Sequence, residues 1–304
     1  MGLLQLFVLA YLLICLLGTA RLVYLVWYPP RKTYARALAR GDATDPADLE
    51  LESESVQFSF RGGVTSPGWL LPGLDEAGPA IVIIHGYGDS RYGALRCVKL
   101  LQSYASELVV FDLRGHGESS KSYSTAGVVE SEDILTLLDQ FDAPHGVVLY
   151  GYSMGGRIAI AAAAMAEEEL SRRIKGVIAD GPYRTWYEPV RHIIKLRRYP
   201  TQPFILLARL VLYLFNRRSE HDDTRDHAVK LQCPLLVLHG SDDLICPLDS
   251  ARQIAEAAKA GKLVVFEGGG HLDLLELDEI RYKGEIAAFF SEKVVQANEY
   301  CESD

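Results

Sequence analysis

The chain is poor in the residues that would mark it as a scaffold, a metal site or a nucleic-acid binder. Its 304 residues contain five cysteines, Cys15, Cys97, Cys233, Cys246 and Cys301. Their number is odd and no pair stands at C-x-x-C or metal-ligand spacing, so they read as free thiols used for packing. Basic residues are outnumbered, 31 Lys and Arg against 40 Asp and Glu, for a formal charge of −9. That balance argues against a nucleic-acid partner. No internal repeat and no low-complexity tract is present, which removes solenoids and disordered arrays from consideration. An apolar fraction of 49% is ample for one large α/β core plus an appendage.

A different lack marks the N-terminus, where no charged side chain occurs from Gly2 to Ala20. After Arg21 the apolar run resumes from Leu22 to Tyr28 and stops at Pro29-Pro30. About 20 apolar residues cross a bilayer as a helix, so residues 1–28 are expected to form a single membrane span. Tyr24, Trp27 and Tyr28 fall where an interfacial aromatic belt would lie, with Arg21 snorkelling. Arg31, Lys32, Arg36 and Arg40 follow, which by the positive-inside rule places the rest of the chain in the cytoplasm. The alternative is a signal peptide cleaved after the small residues Gly18-Thr19-Ala20, giving a secreted or periplasmic protein. Residues 29–55 read as a connector with an acidic cluster at Asp48, Glu50, Glu52 and Glu54.

From residue 56 the patterns of strand and helix alternate. Val56–Phe60 alternates with period two and pairs in a hairpin with Gly68–Leu71 across Gly62-Gly63. Ala80–Ile84 is a continuous apolar run, the pattern of a parallel strand covered on both faces. Helix Leu95–Ala105, strand Leu108–Asp112, helix Val129–Phe141, strand Val147–Tyr150 and strand Gly176–Asp180 follow. Later come strand Leu235–His239, helix Leu248–Lys259, strand Leu263–Glu267 and a last helix Glu276–Val295. The expectation is an α/β fold with a doubly wound, mostly parallel sheet over residues 56–304. Residues 182–232 interrupt the rhythm and read as a helical cap. Its apolar run Phe204–Phe215 either packs on the body, lines an acyl pocket or touches a membrane.

The chemistry is concentrated in Gly-Tyr-Ser-Met-Gly-Gly at 151–156, which follows one apolar strand and precedes an alanine-rich helix. G-x-S-x-G in that setting is a nucleophile elbow: small neighbours permit a strained turn that exposes the Ser153 hydroxyl. A serine needs a base, and the base needs an orienting acid. His271, in the glycine-rich loop after the last strand, is the expected base, and the turn after the preceding strand offers Asp242 and Asp243 as the acid. Asp180, at the end of another strand, is the competing acid. The expected oxyanion donors are the backbone N–H groups of Met154, just after the nucleophile, and of Tyr87, in the loop His85–Ser90. His85 and His239 each end a strand before a glycine and read as structural.

Taken together, His-Gly-Tyr-Gly-Asp-Ser at 85–90, Asp-Leu-Arg-Gly-His-Gly-Glu-Ser at 112–119, the elbow, His-Gly-Ser-Asp-Asp-Leu-Ile-Cys-Pro at 239–247 and Gly270-His271 resemble the α/β-hydrolase superfamily. Within it, the chain is similar to small membrane-anchored serine hydrolases of the prolyl-oligopeptidase-like and Bem46-like type. The resemblance implies that the acid lies three residues after the glycine and four before the proline, the position of Asp243, which leaves Asp242 as understudy. It also implies that Asp112–Ser119 is structural. The activity expected is hydrolysis of carboxylic esters, lipid or acylglycerol esters among them, through Ser153, His271 and Asp243. Neither metal nor organic cofactor is called for. Peptidase or thioesterase chemistry on the same triad, and a silent membrane-tethered binding module, are the alternatives. Expected partners are a small-molecule ester and the membrane, with the oligomeric state open.

Overall fold

The computed structural model describes residues 2–198, 200–215 and 222–291. Eight strands form one sheet in the order β1-β2-β4-β3-β5-β6-β7-β8. They are β1 Glu54–Phe60, β2 Val64–Pro72, β3 Ala80–Ile84, β4 Glu107–Phe111, β5 Val147–Tyr152, β6 Ile174–Asp180, β7 Leu235–Gly240 and β8 Gly261–Phe266. The pairs β1/β2 and β2/β4 are antiparallel, with Val56 opposite Gly68 as the hairpin reading requires. All other neighbours are parallel. Every residue of β3, β5 and β7 is buried, because helices cover both faces. Alternate side chains divide the core: Val82 and Ile84 join one apolar cluster, Ile81 and Ile83 the other.

The helices, in chain order, begin with α1 Leu3–Trp27 and α2 Tyr34–Arg40, followed by the short α3 Arg91–Ala94 and α4 Val98–Leu101. Then come α5 Val128–Leu138, α6 Met154–Met165, α7 Glu168–Arg173, α8 Tyr187–Leu196 and α9 Phe204–Phe215. The last four are α10 Thr224–Ala228, α11 Leu248–Ala257, α12 Leu274–Leu277 and α13 Glu279–Phe289. α1 is long and apolar enough to cross a membrane, with most of its residues exposed.

Two expectations need correction, at Leu95–Ala105 and at the last helix. The single helix over Leu95–Ala105 is instead a broken series of turns from Arg91 to Tyr104, with 3-10 turns at Leu95–Cys97 and Gln102–Tyr104. From Arg91 to Leu101 every residue except Arg96 and Lys99 is buried, so no amphipathic stripe holds it to one helical period. The connector before β1 is ordered: α2 buries Ala37 against the core, and Lys32 forms ion pairs with Asp42 (2.9 Å) and Asp89 (3.1 Å). The last helix is two pieces, α12 and α13, separated at Asp278, whose carboxylate accepts from the Arg281 amide and so caps α13. Its expected end at Val295, like Cys301, lies outside the described residues.

α8 and α9 lie between β6 and β7, where the cap was expected. They pack on the C-terminal half of α1: Val23 and Val26 are buried together with Trp186, Ala208 and Leu212. α9 also leaves Leu206, Leu210 and Leu214 exposed at a spacing of four residues, one face of the helix. Of the two faces of Phe204–Phe215, the buried one packs chiefly on α1 instead of on the body.

Candidate active site

The parallel strands deliver their carboxyl ends to one place. β3 ends just before His85, β5 at the turn of Ser153, β6 at Asp180, β7 before Asp243 and β8 before the loop of His271. In open parallel sheets this edge is where ligands bind.

Ser153 has φ 53° and ψ −117°, a backbone conformation that non-glycine residues rarely adopt. Its N–H donates to the Asp180 carbonyl at 2.7 Å, and its own carbonyl accepts from Gly156 at 3.1 Å, opening α6. The turn fits only without a side chain at Gly155, where a Cβ would stand 2.0 Å from the Ile84 carbonyl oxygen. Sequence and geometry thus agree on why small residues surround the serine.

His271 brings the two partners together. Its Nε2 is 3.1 Å from Ser153 Oγ, and its Nδ1 is 2.7 Å from Asp243 Oδ2. These partners assign the tautomer: Nδ1–H donates to the carboxylate, leaving the Nε2 lone pair facing the serine hydroxyl. The other carboxylate oxygen, Asp243 Oδ1, accepts from the amides of Ile245 and Cys246, each at 2.8 Å. Burial pushes the Asp243 carboxyl up, but His271 and those amides outweigh it and hold the group below the usual carboxylate range. Asp243 therefore stays ionised beside the imidazole.

The understudy and the competitor stand elsewhere. Asp242 accepts from its neighbour Ser241 Oγ at 3.0 Å. Asp180 accepts from the Tyr282 hydroxyl at 2.8 Å, and burial raises its carboxyl to about 6. Tyr282 also meets the Tyr150 hydroxyl at 2.9 Å, so Asp180 ends a buried chain of hydroxyls.

The loop after β3 lies against the serine, where a Cβ on Gly86 would be 3.3 Å from Ser153 Cβ. Among the described residues, neither the Tyr87 nor the Met154 amide has a hydrogen-bond acceptor. His85 fixes the loop's start: the Leu113 amide donates to its Nε2 at 2.9 Å, so Nδ1 carries the proton given to the Gly86 carbonyl at 2.8 Å. Burial lowers the His85 imidazole to about 3, consistent with a neutral ring. His239 is buried as well, and its Nε2 holds the Cys246 carbonyl at 3.0 Å, shaping the turn that carries Asp243.

The segment Asp112–Ser119 is a scaffold. Asp112 receives the Arg91 amide (2.7 Å) and guanidinium (2.8 Å), and Arg114 grips Asp133 through two bonds of 2.7 and 2.8 Å. Arg31, just after α1, donates to the carbonyls of His116 and Gly117 at 3.0 Å each. Sequence reading missed that clasp, and while it read Cys246 as a free packing thiol it did not place it beside Asp243 and His271. Asp243, Cys246 and His271 offer ligand atoms within 4.8 Å of one another, a grouping able to approach a metal. Two of the three are already joined by a hydrogen bond, and burial pushes the Cys246 thiol far above its ordinary range. A neutral thiol is a poor metal ligand, so the arrangement suits proton transfer better.

A serine under a histidine that is itself held by a buried carboxylate can serve nucleophilic catalysis. Comparison with known proteins bears on the fold and the family. ABHD12B from Homo sapiens is 27% identical over 221 residues, 68% of this chain and 59% of that protein, so the chain spans under two thirds of that relative's length. YfhR from Salmonella typhimurium, an uncharacterised protein, is 26% identical over 88% of both chains. The fold is shared with the Pyrococcus furiosus esterase Pf2001, at TM-score 0.68 and 19% identity over 88% of this chain and 98% of that one. It is shared too with a membrane phospholipase A described as a bacterial virulence factor, at TM-score 0.61 and 20% identity over 95% and 99%. The sequence profile of the alpha/beta hydrolase family matches residues 81–281, a stretch running from β3 through the elbow to the histidine loop and beyond it. This chain belongs to the alpha/beta hydrolase family.

Proposed function

We propose that the chain is a membrane-anchored serine hydrolase that cleaves carboxylic esters, with lipid esters as its substrate class. The observation that carries this reading is the alignment of Ser153 Oγ, the His271 ring and the Asp243 carboxylate within hydrogen-bond distance at the strand ends.

In this mechanism Ser153 Oγ attacks the ester carbonyl while His271 Nε2 takes the hydroxyl proton. Asp243 holds the imidazole in its tautomer and balances the imidazolium that forms. The tetrahedral oxyanion sits against the Met154 and Tyr87 amides and the positive end of α6. Each such donor is worth ~2.7–4 kcal/mol in the transition state. The imidazolium then protonates the departing alcohol, leaving an acyl-Ser153 ester. Water, deprotonated by His271, attacks that ester, and the acid leaves with the serine restored.

The lipid part of the reading rests on α1 and the cap. α1 is continuous through the candidate cleavage site, and it is shaped to dock on α9: a Cβ on Gly18 would stand 2.5 Å from the Phe204 ring. The exposed Leu206, Leu210 and Leu214 add apolar surface beside the span. In this reading residues 1–28 anchor, 29–55 connect and 56–304 form the catalytic unit with its cap at 182–232. Arg31, Lys32, Arg36 and Arg40 favour a cytoplasmic catalytic unit. A phospholipase and an esterase among proteins of the same fold are consistent with the substrate class.

The test is labelling by a fluorophosphonate probe, comparing wild type with Ser153→Ala and His271→Ala, followed by an ester chain-length series. Labelling lost in both variants, with turnover on longer acyl chains, is expected. A folded wild type that takes no label would favour a silent binding module instead.

A further inference from the structure

A cavity of about 450 Å³ opens at the foot of α1, its walls including Arg21, Tyr24, Leu25, Tyr28, Arg31 and Arg36. Three guanidinium groups line it and no carboxylate does. In a chain of formal charge −9 that concentration is unusual. Among the described residues none of the three forms an ion pair with Asp or Glu. Arg31 is held by the neutral carbonyls of His116 and Gly117, Arg36 donates to the Arg31 carbonyl at 3.1 Å, and Arg21 stands 5.8 Å from the Tyr24 ring centre. Carbonyls and rings orient these cations without neutralising them. The arrangement therefore lacks an anion, and guanidinium forks match phosphate oxygens.

Depth says where such an anion would come from. From Leu3 to Leu17 almost every residue of α1 is exposed, and Val23 and Val26 turn inward to the cap. At 1.5 Å per residue, Leu3 to Arg21 spans roughly 27 Å, close to the ~30 Å thickness of a bilayer's hydrocarbon core. With α1 across the membrane, the cavity falls at the level of the lipid headgroups. Tyr24 and Tyr28, aromatic rings with polar tips, suit that depth.

We propose that this cavity binds the phosphate group of an anionic phospholipid in the leaflet facing the catalytic unit. The proposal rests on reading α1 as a membrane span. It also bears on the active site. The Leu25 carbonyl, in the cavity wall, accepts the Tyr87 hydroxyl at 2.6 Å, so a lipid seated there braces the loop beside Ser153.

The experiment uses the full chain purified in a neutral detergent, with its melting temperature followed during titration. The additives are short-chain phosphatidylglycerol, short-chain phosphatidylcholine and inorganic phosphate. Phosphatidylglycerol is expected to raise Tm in a saturable way, and the other two are not. The double variant Arg21→Gln/Arg36→Gln, at two exposed positions, should need about 25-fold more lipid for the same shift, taking about fivefold per arginine. Arg21→Lys/Arg36→Lys should recover most of it. No shift in wild type, or an equal response in the Gln variant, overturns the site. An equal response to inorganic phosphate overturns the lipid as its source. Carbonate extraction of membranes reads the anchor separately. Release of the intact chain would refute the span, whatever the titration shows.

Discussion

The Tyr87 hydroxyl donates to the Leu25 carbonyl across 2.6 Å, joining the loop that flanks the nucleophile to the end of the N-terminal helix. An aromatic side chain half exposed beside the proposed nucleophile suggests a substrate contact, yet its polar tip is engaged by backbone. Tyr87→Phe keeps the backbone amide and the ring and removes only this bond. A net hydrogen bond contributes about 0.5–1.5 kcal/mol, so kcat/KM on a soluble ester should fall roughly two- to tenfold. Unchanged kcat/KM would show that the helix does not help position the loop.

Asp243, Asp242 and Asp180 are separable by substitution. Asp243→Asn leaves the ring of His271 in place but reverses its preferred tautomer, and kcat should drop by ~10⁴. Asp242→Asn should stay near wild type, because among the described residues that side chain bonds only Ser241 Oγ. Asp180→Asn should keep most activity, since Asp180 is engaged by Tyr282 instead of His271. Steady-state kinetics on the three variants decides, and a larger loss at Asp180 than at Asp243 would reverse the assignment of the acid.

Arg157, on α6 one turn after the nucleophile, is almost wholly buried and pairs with Asp222. Asp222 also meets the His227 ring at 2.5 Å. Burial works against its charge, but Arg157 and His227 prevail and draw the carboxyl down to about 2. Asp222→Ala strands a guanidinium in the core behind the elbow and should destabilise by ~3–5 kcal/mol. Replacing both partners, Arg157→Met with Asp222→Leu, should destabilise less than the single change. Denaturant unfolding of the two proteins measures the difference, and equal losses would mean that the buried charge is not the cause.

How far these relations could be read beforehand depended on whether they leave a local pattern. β3, β5 and β7 are covered on both faces, so their unbroken apolar runs announce them, and the elbow announces itself because Gly155 has no room for a side chain. Asp243 over Asp242 came only from the family resemblance, through the spacing to Gly240 and Pro247. α7 carries Glu168 and Glu169 in its first turn and Arg172 and Arg173 in its last, a dipole-matched pattern that was legible and passed over. Arg31 with the His116 carbonyl, Arg157 with Asp222 and Tyr87 with Leu25 are different. Each joins segments 62 to 85 residues apart, often through backbone atoms that every residue possesses, so composition and periodicity carry no trace of them.

The buried hydroxyl chain that ends at Asp180 gives the last prediction. Burial raises this carboxyl to about 6, with the Tyr282 bond, Arg96 and His271 only partly offsetting it. In the unfolded chain the group titrates near 3.9. Between those values the folded protein binds more protons than the unfolded one, so this group's contribution is complete below pH ~4 and is lost as pH rises through 6. The full difference corresponds to about 3 kcal/mol. Asp180→Asn keeps an oxygen for the Tyr282 hydroxyl and cannot ionise. Relative to wild type it should therefore gain stability as pH rises from 4 to 8. His85, buried with its imidazole lowered to about 3, has the opposite sign: its contribution is lost as pH falls below 6.5. It is common to both proteins and cancels in the comparison. Thermal melts of the pair at pH 4.5, 6 and 8 give the difference directly. A difference independent of pH would mean that Asp180 titrates normally in the folded chain.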